Sequence, residues 1–258
     1  MKISFVGCGN VAWHLAPELE NAGHKVLETF SRKAVNAKAL ALRLYEATPT
    51  TSLDFSKSDA QLFIIAVADD AIEEVLKELI LPENSVVVHT SGSRPLSILN
   101  YIPTHKVGVF YPLQTFSKAK KVDFTQLPIL IESEDQPTSK ELLKLAKSIS
   151  KSVKEVSSSD RMALHISAVF ASNFTNHMLS ISSELLNEKS IDFSLLKPLI
   201  IETINKGLAI GPLSAQTGPA KRHDFDLLEN HMEYLSNKPE LAEIYQIISQ
   251  HIISTFPD

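Results

Sequence analysis

A glycine-spaced turn between an apolar strand and a helix constrains this chain more than any other feature. Met1 to Val6 has the make-up of a buried strand. Gly7-Cys8-Gly9-Asn10-Val11-Ala12 follows at once, and Trp13-His14-Leu15-Ala16 opens a helix running towards Asn21-Ala22-Gly23. In that setting, G-x-G-x-x-A is the fingerprint of a dinucleotide-binding βαβ unit. Gly7 has no Cβ to obstruct a tight turn. Gly9 lets the backbone come close to a pyrophosphate, and Ala12 lets the helix pack tightly on the strand. The helix N-terminus presents unpaired N–H groups and a positive dipole end to the phosphates. Cys8, Asn10 and Val11 complete the cofactor-binding turn. Cys8 is the single cysteine, which excludes an internal disulfide and a cysteine-rich metal site. Its place between two glycines reads as small packing residue, not redox thiol. No metal site is expected.

The second strand, His24 to Phe30, ends in Ser31-Arg32-Lys33. An NAD site usually places an acidic residue there for the ribose 2′-hydroxyl, whereas a 2′-phosphate needs donors and positive charge. Ser31 offers a hydroxyl and Arg32 a planar fork suited to phosphate, so the residues favour NADP. Lys33 can equally be part of a solvent-facing basic turn.

The rest of the N-terminal half alternates strands and helices. Lys33 to Tyr45 reads as a helix, Ala47-Thr48 as a weak strand, and Gln61 to Val67 as a continuous apolar strand buried on both faces. Its carboxyl end brings Val67, Ala68 and Asp69, with Ile72 just beyond, to the expected cofactor side. Asp69 and Asp70 are read chiefly as caps for a helix over Ala71 to Leu79. Ser85 to His89 is the next strand, followed by Thr90-Ser91-Gly92-Ser93. His89 fits either a core histidine or a functional group, and Ser91 and Ser93 fit either a site or caps for a helix from Pro95. Strands over Lys106 to Tyr111 and Leu127 to Glu132, a helix over Thr138 to Ser150 and a strand at Val153 to Val156 complete a doubly wound α/β sheet.

The pattern changes near Ser157, predicting a Rossmann-type domain over 1–156 and an all-helical domain over 157–258. Ser157-Ser158-Ser159-Asp160 is a capping-rich link. From Asp160 to about Asn187 the pattern is helical and apolar on most sides, about 40 Å of helix at ~1.5 Å per residue. That girth implies burial on all sides and a homodimer formed through the helical domain. Helices follow over Ser194 to Ala209, Asp224 to Leu235 and Pro239 to Ser254. The long helix carries His165, Asn173, Asn176 and His177, the last three at helix-face spacing; a helix-to-helix hydrogen bond explains the amides as well as substrate does. Thr217-Gly218-Pro219-Ala220-Lys221-Arg222-His223-Asp224 is a turn whose Asp224 can cap the next helix and whose Arg222 can hold a carboxylate.

Composition narrows the function classes. The chain has 258 residues, 44% hydrophobic and 21% charged, with a net charge of −5. It is globular, and no basic face points to nucleic acid. Lys118, Lys120 and Lys121 read as a solvated loop. A strand at the start leaves no room for a signal peptide, and no apolar run is long enough to span a bilayer. The expected setting is therefore cytoplasmic, with no membrane partner.

The N-terminal half resembles the NADP-binding domain of pyrroline-5-carboxylate reductase and of the deazaflavin-dependent NADP reductases, through Gly7-x-Gly9-Asn10-x-Ala12 and Ser31-Arg32. The whole chain is similar to a family of NADP oxidoreductases in which a Rossmann-like domain precedes a helical domain like that of 6-phosphogluconate dehydrogenase. The stretches that carry the likeness are His89-x-Ser91-Gly92, Pro112-Leu113-Gln114-Thr115-Phe116, the helix with Asn173, and Thr217-Gly218-Pro219-x-x-Arg222-x-Asp224. Two positions depart from the family pattern: Tyr111 and His223 stand where histidine and glycine are expected. Val169 stands where related hydroxyacid dehydrogenases carry a catalytic lysine, so that proton donor does not transfer. The resemblance implies NADP-dependent hydride transfer to a small C=O or C=N substrate. A non-catalytic NADP sensor is the alternative, and a methyltransferase on a similar fold is disfavoured by the basic end of the second strand. The expected catalytic set is His89, Ser91, Asn173 and Arg222. Arg222 would anchor an anionic substrate and His89 is the first choice for proton donor, ahead of His165 and Tyr111.

Overall fold

The computed structural model describes residues 1–102 and 106–257. Its order is β1 (Lys2–Val6), α1 (Asn10–Asn21), β2 (Lys25–Phe30), α2 (Ala34–Ala41), β3 (Thr48–Thr50), β4 (Leu62–Ile65), α3 (Ile72–Glu78), β5 (Val86–His89), β6 (Val107–Pro112), β7 (Ile129–Glu132), α4 (Gln136–Lys147) and β8 (Val153–Glu155). The strands form one sheet in the order β3-β2-β1-β4-β5-β6-β7-β8. Neighbours run parallel except β6 and β7. The chain winds outward from β1 to β3, then crosses back to β4 on the other side of β1. That reversal opens a crevice at the carboxyl ends of β1 and β4, where a ligand binds in such sheets.

Side-chain alternation explains the two layers. Phe5, Leu62, Ile64, Val86 and Val88 point to the face covered by α1, α2 and α4. Val6, Phe63, Ile65 and Val87 point to the opposite face, covered by α3 and the 3₁₀ turn Leu96–Tyr101. Because both faces are covered, the central strands are continuous apolar runs. Pro17 lies inside α1 and cannot donate to the carbonyl of Trp13, four residues back. The Arg43 guanidinium donates to that carbonyl instead.

Several boundaries differ from the sequence reading. The helix predicted to run to Tyr45 stops at Ala41. Neither Asp69 nor Asp70 caps α3: no side chain caps the 3₁₀ turn Asp69–Ala71 or the helix after it. No full helix follows Pro95, only the 3₁₀ turn, and its Leu96 N–H is taken by Ser158 Oγ at 3.2 Å. Asp135 caps α4, accepting from Thr138 N–H at 2.8 Å.

By compactness the chain divides between Ser172 and Asn173. The first unit therefore includes α5 (Ser158–Ala168), capped by Ser157, which accepts from Asp160 N–H. The single long α-helix expected from Asp160 to Asn187 is interrupted by a π-helical stretch, Val169–Phe174, a local widening frequent at functional sites. Nor is it buried all round: Phe170 and Phe174 are exposed.

The second unit contains α6 (Thr175–Asn187), α7 (Lys197–Ile210), α8 (Pro212–Ala215), α9 (Phe225–Tyr234) and α10 (Pro239–Thr255). None of the residues of α6, α7 or α10 is buried, while Leu195, Leu199, Leu208 and Ile247 are exposed. Asp224 caps α9, accepting from Leu227 N–H. His223 has φ 52°, the left-handed region that favours glycine, which is why glycine is the expected residue there. Its ring Nε2 lies 2.9 Å from the Phe256 carbonyl.

Candidate functional site

The crevice is a cleft of about 390 Å³ lined by Gly7, Cys8, Gly9, Asn10, Ser31, Arg32, Val67 and Ala68, all named from the sequence. Phe30, Asn36, Ala66, Ala71, Val75 and Lys118 line it too. Gly7 has φ +113°, and a Cβ there would lie 2.4 Å from the Ala66 carbonyl oxygen, so the protein itself demands glycine. Gly9 is different. A Cβ there would meet nothing nearer than 3.8 Å, so its bare backbone clears space towards the cleft. With an N-terminus of α1 that no side chain caps, that is the cradle a pyrophosphate requires. The residues present fit a dinucleotide.

Five of the cofactor candidates do not line this cleft. Ala12 and Ile72 are buried in the cores on opposite faces of the sheet, and Val11 packs on the first of these. Lys33 is exposed, its N–H turned to Ser31 Oγ at 3.3 Å. Asp69 accepts the Ser93 hydroxyl at 2.5 Å. Arg32 is exposed beside Glu74, 3.7 Å away. Cys8 is buried, its Sγ 3.2 Å from the Phe30 carbonyl, and burial pushes its pKa up to about 11. A thiol so protonated is a packing residue.

Two strands along the same sheet edge, a second polar cluster lies at the ends of β5 and β6. Arg161 on α5 is wholly buried. Its guanidinium donates to Glu132 Oε2 at 2.9 Å, to the Ser91 carbonyl at 2.9 Å and to the Gly92 carbonyl at 3.0 Å. This pins the Ser91-Gly92 turn. Ser91 Oγ accepts from the N–H groups of Ser93 and Arg94, tightening the turn rather than capping a helix. Tyr111 and His165 close over it, with Tyr111 Oη 3.0 Å from His165 Nδ1. A Cβ on Gly92 would lie 2.4 Å from His165 Nδ1 and 2.7 Å from Tyr111 Cζ. Glycine at 92 is what lets the pair form. Burial raises the Tyr111 pKa, so the phenol keeps its proton.

His89, expected as the proton donor, is placed differently. It is 0% exposed, and its Nδ1 accepts from Ser91 N–H at 3.1 Å. The proton of the neutral ring is therefore on Nε2, which lies near the Pro95 backbone but makes no full hydrogen bond among the described residues. Burial first, and the Arg161 charge second, lower its pKa to about 4. A buried ring held neutral at physiological pH serves the Ser91-Gly92 turn through this contact. Asn173 and Arg222 belong to the helical unit, where both are exposed, Asn173 on the π-helical stretch and Arg222 in the 3₁₀ turn Ala220–Arg222.

Sequence reasoning missed Arg161, Glu132 and Asn36, and took Lys118 for a solvated loop residue. A lone arginine in the otherwise apolar run Arg161-Met162-Ala163-Leu164 is the one signal that a buried partner exists. Among the described residues, no group of histidine, cysteine and acidic side chains could hold a metal ion, and no helix is long and apolar enough to cross a membrane.

Comparison with known proteins agrees with this geometry. A family described as "NADP oxidoreductase coenzyme F420-dependent" matches residues 2–92, and a domain of unknown function, DUF2520, matches residues 127–252. A crystal structure described as a "putative NADP oxidoreductase" from Bacteroides fragilis is 36% identical, with 98% of each chain covered and a TM-score of 0.91. The chain belongs to this NADP oxidoreductase family. Its cofactor is NADP, and neither the family match nor this relative supports a non-catalytic binder. The fold extends further. A protein from Thermotoga maritima superposes with a TM-score of 0.69 at 22% identity, covering 97% and 96% of the chains. The 1-pyrroline-5-carboxylate reductase of Streptococcus pyogenes does so with 0.62 at 15%, covering 98% of each. No curated protein matches the chain.

Proposed function

We propose that this oxidoreductase transfers hydride between NADPH and a small substrate with a C=O or C=N bond, held by an anionic group. NADPH, when bound, supplies the hydride, and the protein must supply position and a proton. The Tyr111–His165 pair carries the reading. Tyr111 Oη is a protonated donor 3.0 Å from a ring nitrogen able to replenish it, at the carboxyl ends of β5 and β6, which follow β4 in the parallel sheet. Ser91 and His89 hold the turn under the pair. Asn173 is proposed to hydrogen-bond the substrate and Arg222 to pair with its anionic group. In functional terms, residues 1–156 bind the cofactor and 157–258 serve substrate and subunit contacts, with α5 lending His165. The exposed apolar side chains of α6, α7 and α10 support a homodimer formed through the helical domain, and the cytoplasm is the proposed setting.

A screen of 2-oxo and imino acids with NADPH tests the reaction. Tyr111→Phe should lower kcat by about 10²–10⁴-fold, the usual worth of a positioned proton donor, with KM little changed. Arg222→Ala should mainly raise KM. Wild-type kcat in Tyr111→Phe would remove the pair from the chemistry.

A further inference from the structure

The segment between β6 and β7 crosses the N-terminal turn of α1 and is tied there at the two residues just before Lys118. Asn10 Nδ2 donates to the Phe116 carbonyl at 3.1 Å. His14 Nε2 lies 2.9 Å from the Ser117 carbonyl and donates to it, since a carbonyl can only accept. The Phe116 ring stacks on His14 and leans on buried Phe124, with centroids 5.7 and 6.0 Å apart. Lys120 N–H closes a turn onto the Ser117 carbonyl at 3.2 Å. The backbone carrying Lys118 is thus held on the dinucleotide fingerprint itself.

Lys118 lines the same cleft as Gly7, Gly9, Ser31 and Arg32. Its Nζ lies 4.6 Å from the centroid of the Trp13 ring. Arg43 lies over that ring too, at 4.2 Å, but is retained by the Trp13 carbonyl that Pro17 leaves free. Arg32 has Glu74 as a counter-charge. Among the described residues no carboxylate or hydrogen-bond acceptor pairs with Lys118 Nζ. A cation on a flexible stem, with only an aromatic face to rest on, faces a cleft built for an anion. We propose that Lys118 is a phosphate-binding residue for the bound dinucleotide, moving from the Trp13 face to a cofactor phosphate. The proposal rests on NADP being the cofactor. A compact ammonium serves as a point charge for phosphate. A pre-anchored backbone lowers the ordering cost of that contact.

Trp13 is the sole tryptophan, so its fluorescence reports on the lysine. Titrations of NADP⁺ and NAD⁺ into wild type, Lys118→Met, Lys118→Arg and Lys120→Met, followed by Trp13 emission and by calorimetry, test the proposal. Lys118→Met should weaken NADP⁺ binding by about five- to tenfold at low salt, and less as salt screens the charge. Lys118→Arg should restore most of the affinity, and Lys120→Met, in the same loop but outside the cleft, should bind as wild type does. Equal losses for both nucleotides assign the lysine to the diphosphate, and a loss for NADP⁺ alone assigns it to the 2′-phosphate; either supports the proposal. Unchanged affinity in Lys118→Met while wild type binds NADP⁺ overturns it. Wild type binding neither nucleotide overturns the cofactor reading, and this proposal with it.

Discussion

Replacing Arg161 by methionine tests how the site is held together. Methionine keeps much of the apolar stem but none of the donors. Glu132, whose side chain is 15% exposed, loses both donors to its Oε2, Nε and Nη2 of Arg161 at 3.3 and 2.9 Å, and keeps only the Ser158 hydroxyl on Oε1. The buried carbonyls of Ser91 and Gly92 lose their donor as well. Removing one member of a buried pair costs about 3–5 kcal/mol, and each orphaned carbonyl about 1–3 kcal/mol before water and relaxation offset part of it. A net loss of about 4 kcal/mol is expected. That is a fall of roughly 8–16 °C in Tm for a chain of this size. Urea denaturation of wild type, Arg161→Met, Glu132→Leu and the double variant measures it. Much of the single-variant cost is an uncompensated carboxylate, so the double variant should lose less than the two singles summed, by at least ~1.5 kcal/mol. A loss under about 1 kcal/mol in Arg161→Met, or strict additivity, would refute the reasoning that this ion pair pins the Ser91-Gly92 turn.

His89 makes stability depend on pH in a definite sense. Its folded-state pKa of about 4 lies below the ordinary 6.5, so folding favours the neutral ring. Its contribution is complete above about pH 6.5, declines as pH falls to about 4, and is level below that, with a total of up to about 3 kcal/mol. The stability gap between wild type and His89→Leu should narrow over that window, and a constant gap would sink the idea. Arg32→Ala should weaken NADP⁺ binding by about tenfold, the worth of a charge-assisted phosphate contact, while NAD⁺ binding stays put; calorimetry showing equal wild-type affinity for the two cofactors would contradict it. Light scattering after gel filtration should give a dimer mass, and a clean monomer at tens of micromolar would remove the proposed subunit contact.

The fold was legible in the sequence where one local rule acts alone. Gly7 and Gly9 between an apolar strand and a helix announce a dinucleotide cleft, because backbone clearance at those two positions is a property of glycine and needs no partner. The continuous apolar runs at Leu62–Ile65 and Val86–Val88 announce a sheet covered on both faces for a similar reason. Ser31-Arg32 after β2 points to NADP because charge is carried in the residue itself. Tertiary structure decided whatever depends on partners distant in the chain. Arg161 meets Glu132, 29 residues away, and Gly92, 69 away, and nothing in their separate surroundings encodes the meeting. His89 sits at a strand end as a catalytic histidine would, yet burial and a neighbouring guanidinium make it neutral, and both are properties of the packed state. Lys118 has the local pattern of a solvated loop; only the folding of that loop onto Asn10 and His14 brings its charge to the cofactor cleft. Periodicity and residue type are read along the chain, whereas desolvation and charge pairing arise only when remote segments pack.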